Sequence, residues 1–216
     1  HPVDTPVVPN RALREAGLLS VTDDGSGGEE VDLARSSAFA MVDHQIAHVY
    51  ADSDVLADVR ETVEALAGVA EVLDDRGKAA RDVDHANAGD LVLVAEPDAW
   101  FQYYWWDGHD AAPSYATEMD IHAKPGFDPC ELFVGDAGLT SLDPTRIGGS
   151  HGRVDEETLG VYGLGGPAAP DRRVIDGPVD ARAVAPTIAE LLGVEERLDM
   201  DFEAASLLSG VRSASD

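Results

Sequence analysis

The sequence predicts an α/β fold, because segments with the pattern of strands alternate along the chain with segments that have the pattern of helices. Residues 90–96 read DLVLVAE, a continuous apolar run typical of a strand covered on both faces. Residues 52–68 place their apolar side chains on one helical face and end at Gly68. Residues 184–192 predict another helix, with Pro186 in its first turn and Gly193 after it.

The remaining elements follow from shorter patterns. The segment after Pro9 predicts a short helix, with Asn10 as its N-cap and Gly17 at its end. Residues 38–51, AFAMVDHQIAHVYA, are rich in β-forming residues and predict one strand or a hairpin. Further strand-like stretches are 18–21, 69–73, the start of 99–106, and 159–164. A flexible turn at 23–30 follows the first of them.

Length and composition indicate one domain. The chain has 216 residues, 44% of them hydrophobic, which is enough to bury a core. Neither an internal repeat nor a linker is visible. We therefore expect a single domain over residues 1–216.

The charge balance is strongly acidic. Fifteen Lys and Arg face 42 Asp and Glu, a net charge of −27, and the acidic residues are spread along the whole chain. Only Lys78 and Lys124 are lysines. Such a surface repels itself unless salt screens it, since the screening length falls to about 3 Å at 1 M salt. We expect a high-salt cell interior, and nucleic acid and anionic membranes are excluded as partners.

Cysteine content and hydropathy favour a cytoplasmic protein. Cys130 is the one cysteine, so no internal disulfide can form, and a structural thiol is the expected role. No apolar run reaches the roughly 18 residues that span a membrane, and no signal peptide is visible. The chain begins with His1 rather than Met, so we expect a fragment or a processed product.

Three stretches combine residues that could carry chemistry. In the first, Asp43-His44 and His48 lie in a strand-like segment; on a strand the two histidines would share one face, as metal ligands or as ordinary strand histidines. The second, WFQYYWWDGHD at 100–110, offers Trp100 and Tyr104 as the wall of a ligand pocket, or as core.

The third stretch, DIHAKPGFD at 120–128, combines Asp120, His122 and Lys124 with a Pro-Gly turn. Because the chain otherwise avoids lysine, a lysine beside a histidine favours a site for an anion.

A glycine-rich stretch at 148–167, GGSHGRVDEETLGVYGLGGP, places His151 between glycines. Glycines on both sides give a tight, exposed turn, which a buried histidine does not need. The stretch predicts either a plain surface loop or a histidine held open for a metal.

Taken together, GSHGR, LGVYGLGGP and DARAVAPTIAELLGV resemble, in order and spacing, the C-terminal end of the alkaline phosphatase superfamily, nearest the nucleotide pyrophosphatase/phosphodiesterase branch. The early segment VVPNRALREAGLL resembles the piece that follows the Asp-His-Gly metal motif of that branch.

This resemblance implies the C-terminal part of a three-layer α/β/α sandwich with a mostly parallel sheet and a two-metal phosphoesterase site. In the family, six Asp/His ligands hold two ions, zinc first and manganese as the alternative, and a Thr or Ser attacks phosphorus between them. His151 matches the last metal ligand. The resemblance places Asp120, His122, Lys124 and the aromatic residues Trp100 and Tyr104 in the substrate pocket.

The departures from the family pattern concern the nucleophile and most of the ligands, which nothing in this chain matches. One alignment ends the Asp-His-Gly motif just before His1. The other identifies Asp43-His44 as that motif, although Gln45 replaces the glycine. On both alignments we expect no catalytic residue and only part of the metal site within this chain.

The resulting prediction is part of a metal-dependent phosphodiesterase or nucleotide pyrophosphatase that acts on a small phosphate ester. The nucleophile and remaining ligands would lie in the N-terminal half of the domain, upstream of His1. The alternatives are a phosphatase-like module that binds without turnover, and a phosphomutase-type transferase on the same scaffold.

Overall fold

A computed structural model describes residues 2–117, 133–134, 140–155, 158–166, 177–195 and 204–208. The chain divides into two compact units, His1–Thr158 and Leu159–Asp216. Asp120, His122 and Lys124 lie outside the described residues. The structure confirms a mixed α/β fold.

A four-stranded sheet forms the centre of the first unit. Its strands lie in the order β4-β5-β7-β6, and every neighbouring pair is antiparallel. Their bounds are β4 Ala38–Asp43, β5 Ile46–Ala51, β6 Val69–Leu73 and β7 Leu91–Ala95. All five residues of β7 are buried, which confirms the prediction of a strand covered on both faces.

Two helices pack on one face of this sheet: α1, Pro9–Glu15, contacts β4, and α2, Leu56–Glu64, contacts β6 and α1. The core between them is continuous and takes the inward side chains of β4, β5 and β7. Val92 and Val94 point to the opposite face, where they form a smaller cluster with Leu73 and Ile46. A short helix, α3, Asp75–Ala79, contacts β6 and begins with Asp74 as its N-cap.

Three further strand pairs accompany the sheet. The strands β1, Thr5–Val7, and β8, Ala99–Phe101, pair in parallel. The strands β2, Val21–Asp23, and β3, Glu29–Val31, form an antiparallel hairpin around the predicted turn. The remaining pair, also antiparallel, consists of β9, Phe133–Val134, and β10, Thr140–Ser141.

The pairing directions do not confirm the mostly parallel sheet or the three-layer sandwich. Among the described strands only β1 and β8 pair in parallel. The physical reason is the connection between strands, because β4 and β5 are joined by a two-residue turn, His44-Gln45, and such a turn can link only antiparallel strands.

Asn10 corrects the prediction of a helix cap. The N-cap of α1 is Val8, and Asn10 is a fully buried residue inside the first turn. Its amide Nδ2 donates to the Ala40 carbonyl oxygen at 2.8 Å, and its Oδ1 accepts from the Ala40 N–H at 2.8 Å. Nδ2 also donates to the Tyr103 carbonyl oxygen at 3.0 Å. Asn10 makes buried tertiary hydrogen bonds here instead of capping the helix.

The second unit contains α4, Val184–Leu192, as predicted, with Gly193 in the left-handed conformation after it. The predicted strand at 159–164 is wrong, since these residues form no strand and their side chains, led by Val161, are exposed. An apolar run forms a strand only where a neighbouring strand satisfies its backbone groups.

Within the part of the chain that the structure describes, no helix is both long and apolar enough to cross a membrane.

Candidate functional site

The turn between β4 and β5 is held in an unusual backbone conformation. His44, its first residue, has φ = 58°, a left-handed value that costs a residue with a Cβ free energy. The His44 carbonyl oxygen accepts from the Phe101 N–H at 2.6 Å, and the Gln45 N–H donates to the His151 carbonyl oxygen at 2.9 Å. A two-residue hairpin turn calls for a positive φ at its first residue, and these hydrogen bonds fix the conformation further.

Gln45 anchors the same turn from inside the protein. Its side chain is fully buried, and Nε2 donates to the carbonyl oxygens of Pro97 and Ala99 at 3.2 and 2.9 Å. Its own carbonyl oxygen accepts from the Ala95 N–H at 3.0 Å. The turn is thus fastened to the connection between β7 and β8, which limits how far His44 can move.

The loop that carries His151 lies against this turn. Gly152 has φ = 116°, a conformation that favours glycine, and a Cβ there would make a tight contact of 3.3 Å with the Gln45 nitrogen. Arg153 Nη1 donates to the Ala95 carbonyl oxygen, and its guanidinium pairs with Asp155 at 2.7 Å. The glycines predicted to expose a histidine therefore allow its loop to approach β5 closely.

The two histidines meet in space although they lie far apart in the sequence. The ring centroids of His44 and His151 are 4.0 Å apart, with the ring planes at 39°. The structure thus brings together the two histidines that the sequence offered as metal ligands through different alignments. Asp43 lies beside them, with Oδ1 4.0 Å from His44 Nε2.

Ser150 contacts the first of these rings. Its Oγ lies 3.3 Å from His44 Nδ1, and the residue is only 7% exposed. When Nδ1 carries the proton and donates to Oγ, the lone pair of His44 is on Nε2. A hydrogen bond to the far nitrogen is how proteins orient a metal-binding imidazole.

The electrostatic surroundings keep His44 neutral. Burial lowers its pKa, and repulsion by His151 lowers it further, while Asp43 acts in the opposite direction. A neutral imidazole is the form that binds a metal, so these surroundings favour coordination over protonation.

These residues fit a metal as part of its coordination shell. Two imidazoles and a nearby carboxylate are donor types that zinc accepts. Among the described residues, however, no three His, Cys, Asp or Glu side chains converge closely enough to hold an ion. The described part of the chain therefore holds two imidazoles in contact but no complete coordination shell.

His48 lies elsewhere, on the opposite face of the sheet. The hairpin places His44 in the turn and His48 within β5, so the two do not form a pair. His48 Nδ1 accepts from the Gly89 N–H at 3.1 Å. Burial lowers the pKa of His48, and the Lys78 ammonium lowers it further.

The predicted wall residues Trp100 and Tyr104 are buried, 1% and 3% exposed. Tyr104 stacks on Trp106, with centroids 4.1 Å apart. Their role in substrate binding stays a prediction. Residues of the same stretch that do line a cavity are Tyr103 and Trp105.

Sequence reasoning missed Ser150 and the anchoring role of Gln45. Ser150 directly precedes the predicted ligand His151, a position from which it could have been considered as a supporting residue. Gln45 is the residue that departs from the family pattern, and its buried contacts give that departure a structural role.

Comparison with known proteins identifies a family. The family model described as type I phosphodiesterase / nucleotide pyrophosphatase matches residues 1–128, more than half of the chain and including the β4–β5 hairpin. Searches of curated proteins and of solved structures returned no significant match.

Proposed function

The chain belongs to the type I phosphodiesterase/nucleotide pyrophosphatase family, and from that premise we propose that it is part of a metal-dependent phosphoesterase that hydrolyses a nucleotide-like phosphodiester. Residues 1–216 would form the C-terminal part of a larger three-layer α/β/α domain. The nucleophile and the remaining metal ligands would lie upstream of His1.

The observation that carries this proposal is the contact between His44 and His151. Two imidazoles 107 positions apart have ring centroids 4.0 Å apart, on a turn and a loop that are each held by backbone hydrogen bonds. The left-handed conformation of His44 adds support, since unfavourable backbone conformations of this kind concentrate at functional sites.

In this site the imidazoles of His44 and His151 would hold a divalent metal, zinc first and manganese as the alternative. When bound, paired metal ions stabilise both the attacking and the leaving oxygen of a phosphoryl transfer. Ser150 orients the His44 ring through Nδ1, and Gln45 fixes the turn. Asp43 contributes a negative charge 4.0 Å from His44 Nε2, which favours a cation at that nitrogen.

Substrate contacts are proposed from the residue types of two stretches. His122, Asp120 and Lys124 would bind the phosphate ester, and Trp100 and Tyr104 would form a wall of its pocket. The dispersed acidic surface and the one cysteine support a cytoplasm rich in salt as the working environment.

The test uses the full-length protein encoded by the gene, with metal analysis and hydrolysis of bis(4-nitrophenyl) phosphate in molar salt. We expect His151→Ala to lower both zinc content and activity by at least about tenfold, as loss of a metal-coordinating group does. His109→Ala removes an exposed histidine away from the site and is the matched control. Unchanged zinc content and activity in His151→Ala would show that the assignment is wrong.

The same measurements distinguish a phosphoesterase from a module that binds without turnover. A full-length protein that retains zinc through His44 and His151, yet hydrolyses no phosphodiester or monoester, would overturn the phosphoesterase and favour binding without turnover. An upstream sequence without a Thr or Ser beside early aspartates would point the same way.

A further inference from the structure

A cavity of about 320 Å³ lies beside strand β4, between the β2–β3 hairpin and the aromatic segment after β8. We propose that it binds an organic ammonium ion of about the size of tetramethylammonium. All of its described lining belongs to the first compact unit. The proposal does not depend on the phosphoesterase activity.

Four aromatic side chains contribute to the walls of the cavity, together with aliphatic ones. The aromatic residues of its described lining are Phe39, Tyr103, Trp105 and Tyr115, and the aliphatic ones are Val31, Leu33, Ala40 and Val42. The rings of Tyr103 and Trp105 have centroids 5.8 Å apart and planes at 65°, so they form two steeply angled sides. Ammonium ions are recognised in proteins by such aromatic enclosures, because the negative ring faces attract the cation while the rings take its methyl groups.

Hydrogen bonds fix two of the four aromatic residues. Trp105 Nε1 donates to the Glu29 carbonyl oxygen at 2.9 Å, which fixes the indole ring. Arg14 donates to the Trp105 carbonyl oxygen at 3.0 Å and pairs with the Glu29 carboxylate at 2.5 Å. Asn10 holds the Tyr103 backbone. A preformed site of this kind loses little conformational entropy on binding.

The charges of the cavity favour a cation over a neutral or anionic ligand. Glu30 is exposed at the cavity and supplies a carboxylate. None of the described residues that line it is Lys, Arg or His. Arg14 contacts the β2–β3 hairpin, but its guanidinium is paired with the Glu29 carboxylate. Met41 is 43% exposed and adds a polarisable thioether.

The size agrees with a small ligand, since about 300 Å³ is the lower end of the range for ligand pockets. A quaternary ammonium ion fits better than a primary amine, because its methyl groups can contact apolar walls that exclude water. The chemical class is therefore a small tetraalkylammonium-type headgroup.

The experiment is a titration of the full-length protein with tetramethylammonium chloride, exchanged for sodium chloride so that total salt stays constant. Tryptophan fluorescence and methyl NMR of Met41 report binding. We expect saturable binding that is at least about tenfold tighter than that of tert-butanol, a neutral molecule of similar shape, because only the cation interacts with the ring faces and Glu30.

Two variants at the cavity and two matched controls locate the site. Tyr115→Leu and Glu30→Gln should each weaken tetramethylammonium binding about threefold to tenfold, with folding checked by circular dichroism. Tyr162→Leu and Glu61→Gln change the same groups at exposed positions outside the described lining of the cavity and should leave binding unchanged. His151→Ala should bind the ion normally, which separates this site from the metal site.

Equal binding of tert-butanol would show that the cavity is merely apolar and would overturn the proposal. So would the absence of saturable binding by both probes, or binding that neither cavity variant weakens.

Discussion

The β4–β5 hairpin carries two histidines four residues apart, and their surroundings differ in every respect that decides a role. His44 lies in the turn, with a left-handed backbone, and its ring meets another histidine. His48 lies within β5 on regular backbone, and its ring accepts a hydrogen bond from the Gly89 N–H. Lys78, 8% exposed, lies close enough to lower the pKa of His48.

The difference shows that a histidine's role depends on what its ring nitrogens face, not on its residue type or its neighbours in sequence. At His48 the surroundings are groups of the protein itself: the Gly89 N–H donates to His48 Nδ1 and the Gly89 carbonyl oxygen accepts from Lys78 Nζ at 2.8 Å, so Gly89 is held through both of its backbone polar groups. At His44 the backbone is constrained, Nε2 lies 4.0 Å from Asp43 Oδ1, and the ring contacts the ring of His151. The first arrangement stabilises the fold, and the second is the one that we propose for metal binding.

The largest expected effect is on the free energy of unfolding, through the contacts around His48. Lys78→Met keeps the apolar stem but leaves the buried Gly89 carbonyl oxygen without its donor, so we expect a loss of about 1–3 kcal/mol in the free energy of unfolding. Urea denaturation measures it, with the exposed Arg76→Met on the same helix as control. Zinc content should not change; a loss of zinc would mean that the two sides of the hairpin are not independent.

Next in size is the pH dependence of His48. Its pKa is lowered from the ordinary 6.5, so the unfolded chain binds the proton more readily than the folded one. This contribution to stability is therefore complete above about pH 6.5 and is lost as pH falls towards the folded-state pKa. His48→Asn keeps an acceptor for the Gly89 N–H but cannot titrate.

Denaturation between pH 7.5 and 5 should show a smaller loss of stability in His48→Asn than in the wild type. His48→Leu, without the acceptor, should be less stable by about 1 kcal/mol at pH 7.5. If the wild type and His48→Asn lose stability equally on acidification, His48 does not titrate in the way its contacts predict.

On the His44 side we expect small changes in stability and clear changes in metal binding. Ser150→Ala removes the hydroxyl that contacts His44 Nδ1, and zinc affinity of the full-length protein should fall about tenfold. Nitrogen NMR of the His44 ring should show a mixture of tautomers in the variant. Ser150→Thr keeps the hydroxyl and should restore a single tautomer; a tautomer that does not respond to either change would show that Ser150 does not orient the ring.

The smallest expected effect has the opposite sign. His44→Gly relieves a left-handed backbone conformation and should be more stable than His44→Ala by about 1 kcal/mol, while both lose zinc. Asp82, with φ = 54°, provides the control, since Asp82→Gly should gain stability without losing zinc. Zinc retention in His44→Gly would remove His44 from the site.

Local features of the fold were predictable from the sequence. The ends of α1 and α4 lie next to glycines that have positive φ in the structure, Gly17 and Gly193, whereas α2 ends at Glu64, before the predicted stop at Gly68. The burial of β7 follows from its uninterrupted apolar residues, since nothing in it would favour contact with water. In each case the residues that decide the outcome are adjacent in the chain.

Features that depend on distant partners were not predictable. The prediction of a mostly parallel sheet was not confirmed, because the direction of pairing depends on which strands lie next to each other. The exposed segment at 159–164 has a strand-like composition but no strand beside it among the described residues. The contact of His44 with His151 joins residues that no local pattern connects, and only the alignment that takes Asp43-His44 as the metal motif places both in one site.

Asn10 has a consequence for the protein in concentrated solution. The terminal strand of a sheet can pair with another molecule, and β4 is the terminal strand among the described strands of its sheet. By binding both the N–H and the carbonyl of Ala40, Asn10 occupies groups that an incoming strand would need. Another strand could pair at Ala40 only by displacing this amide, and salt that screens the charge repulsion of an acidic surface leaves the two hydrogen bonds in place.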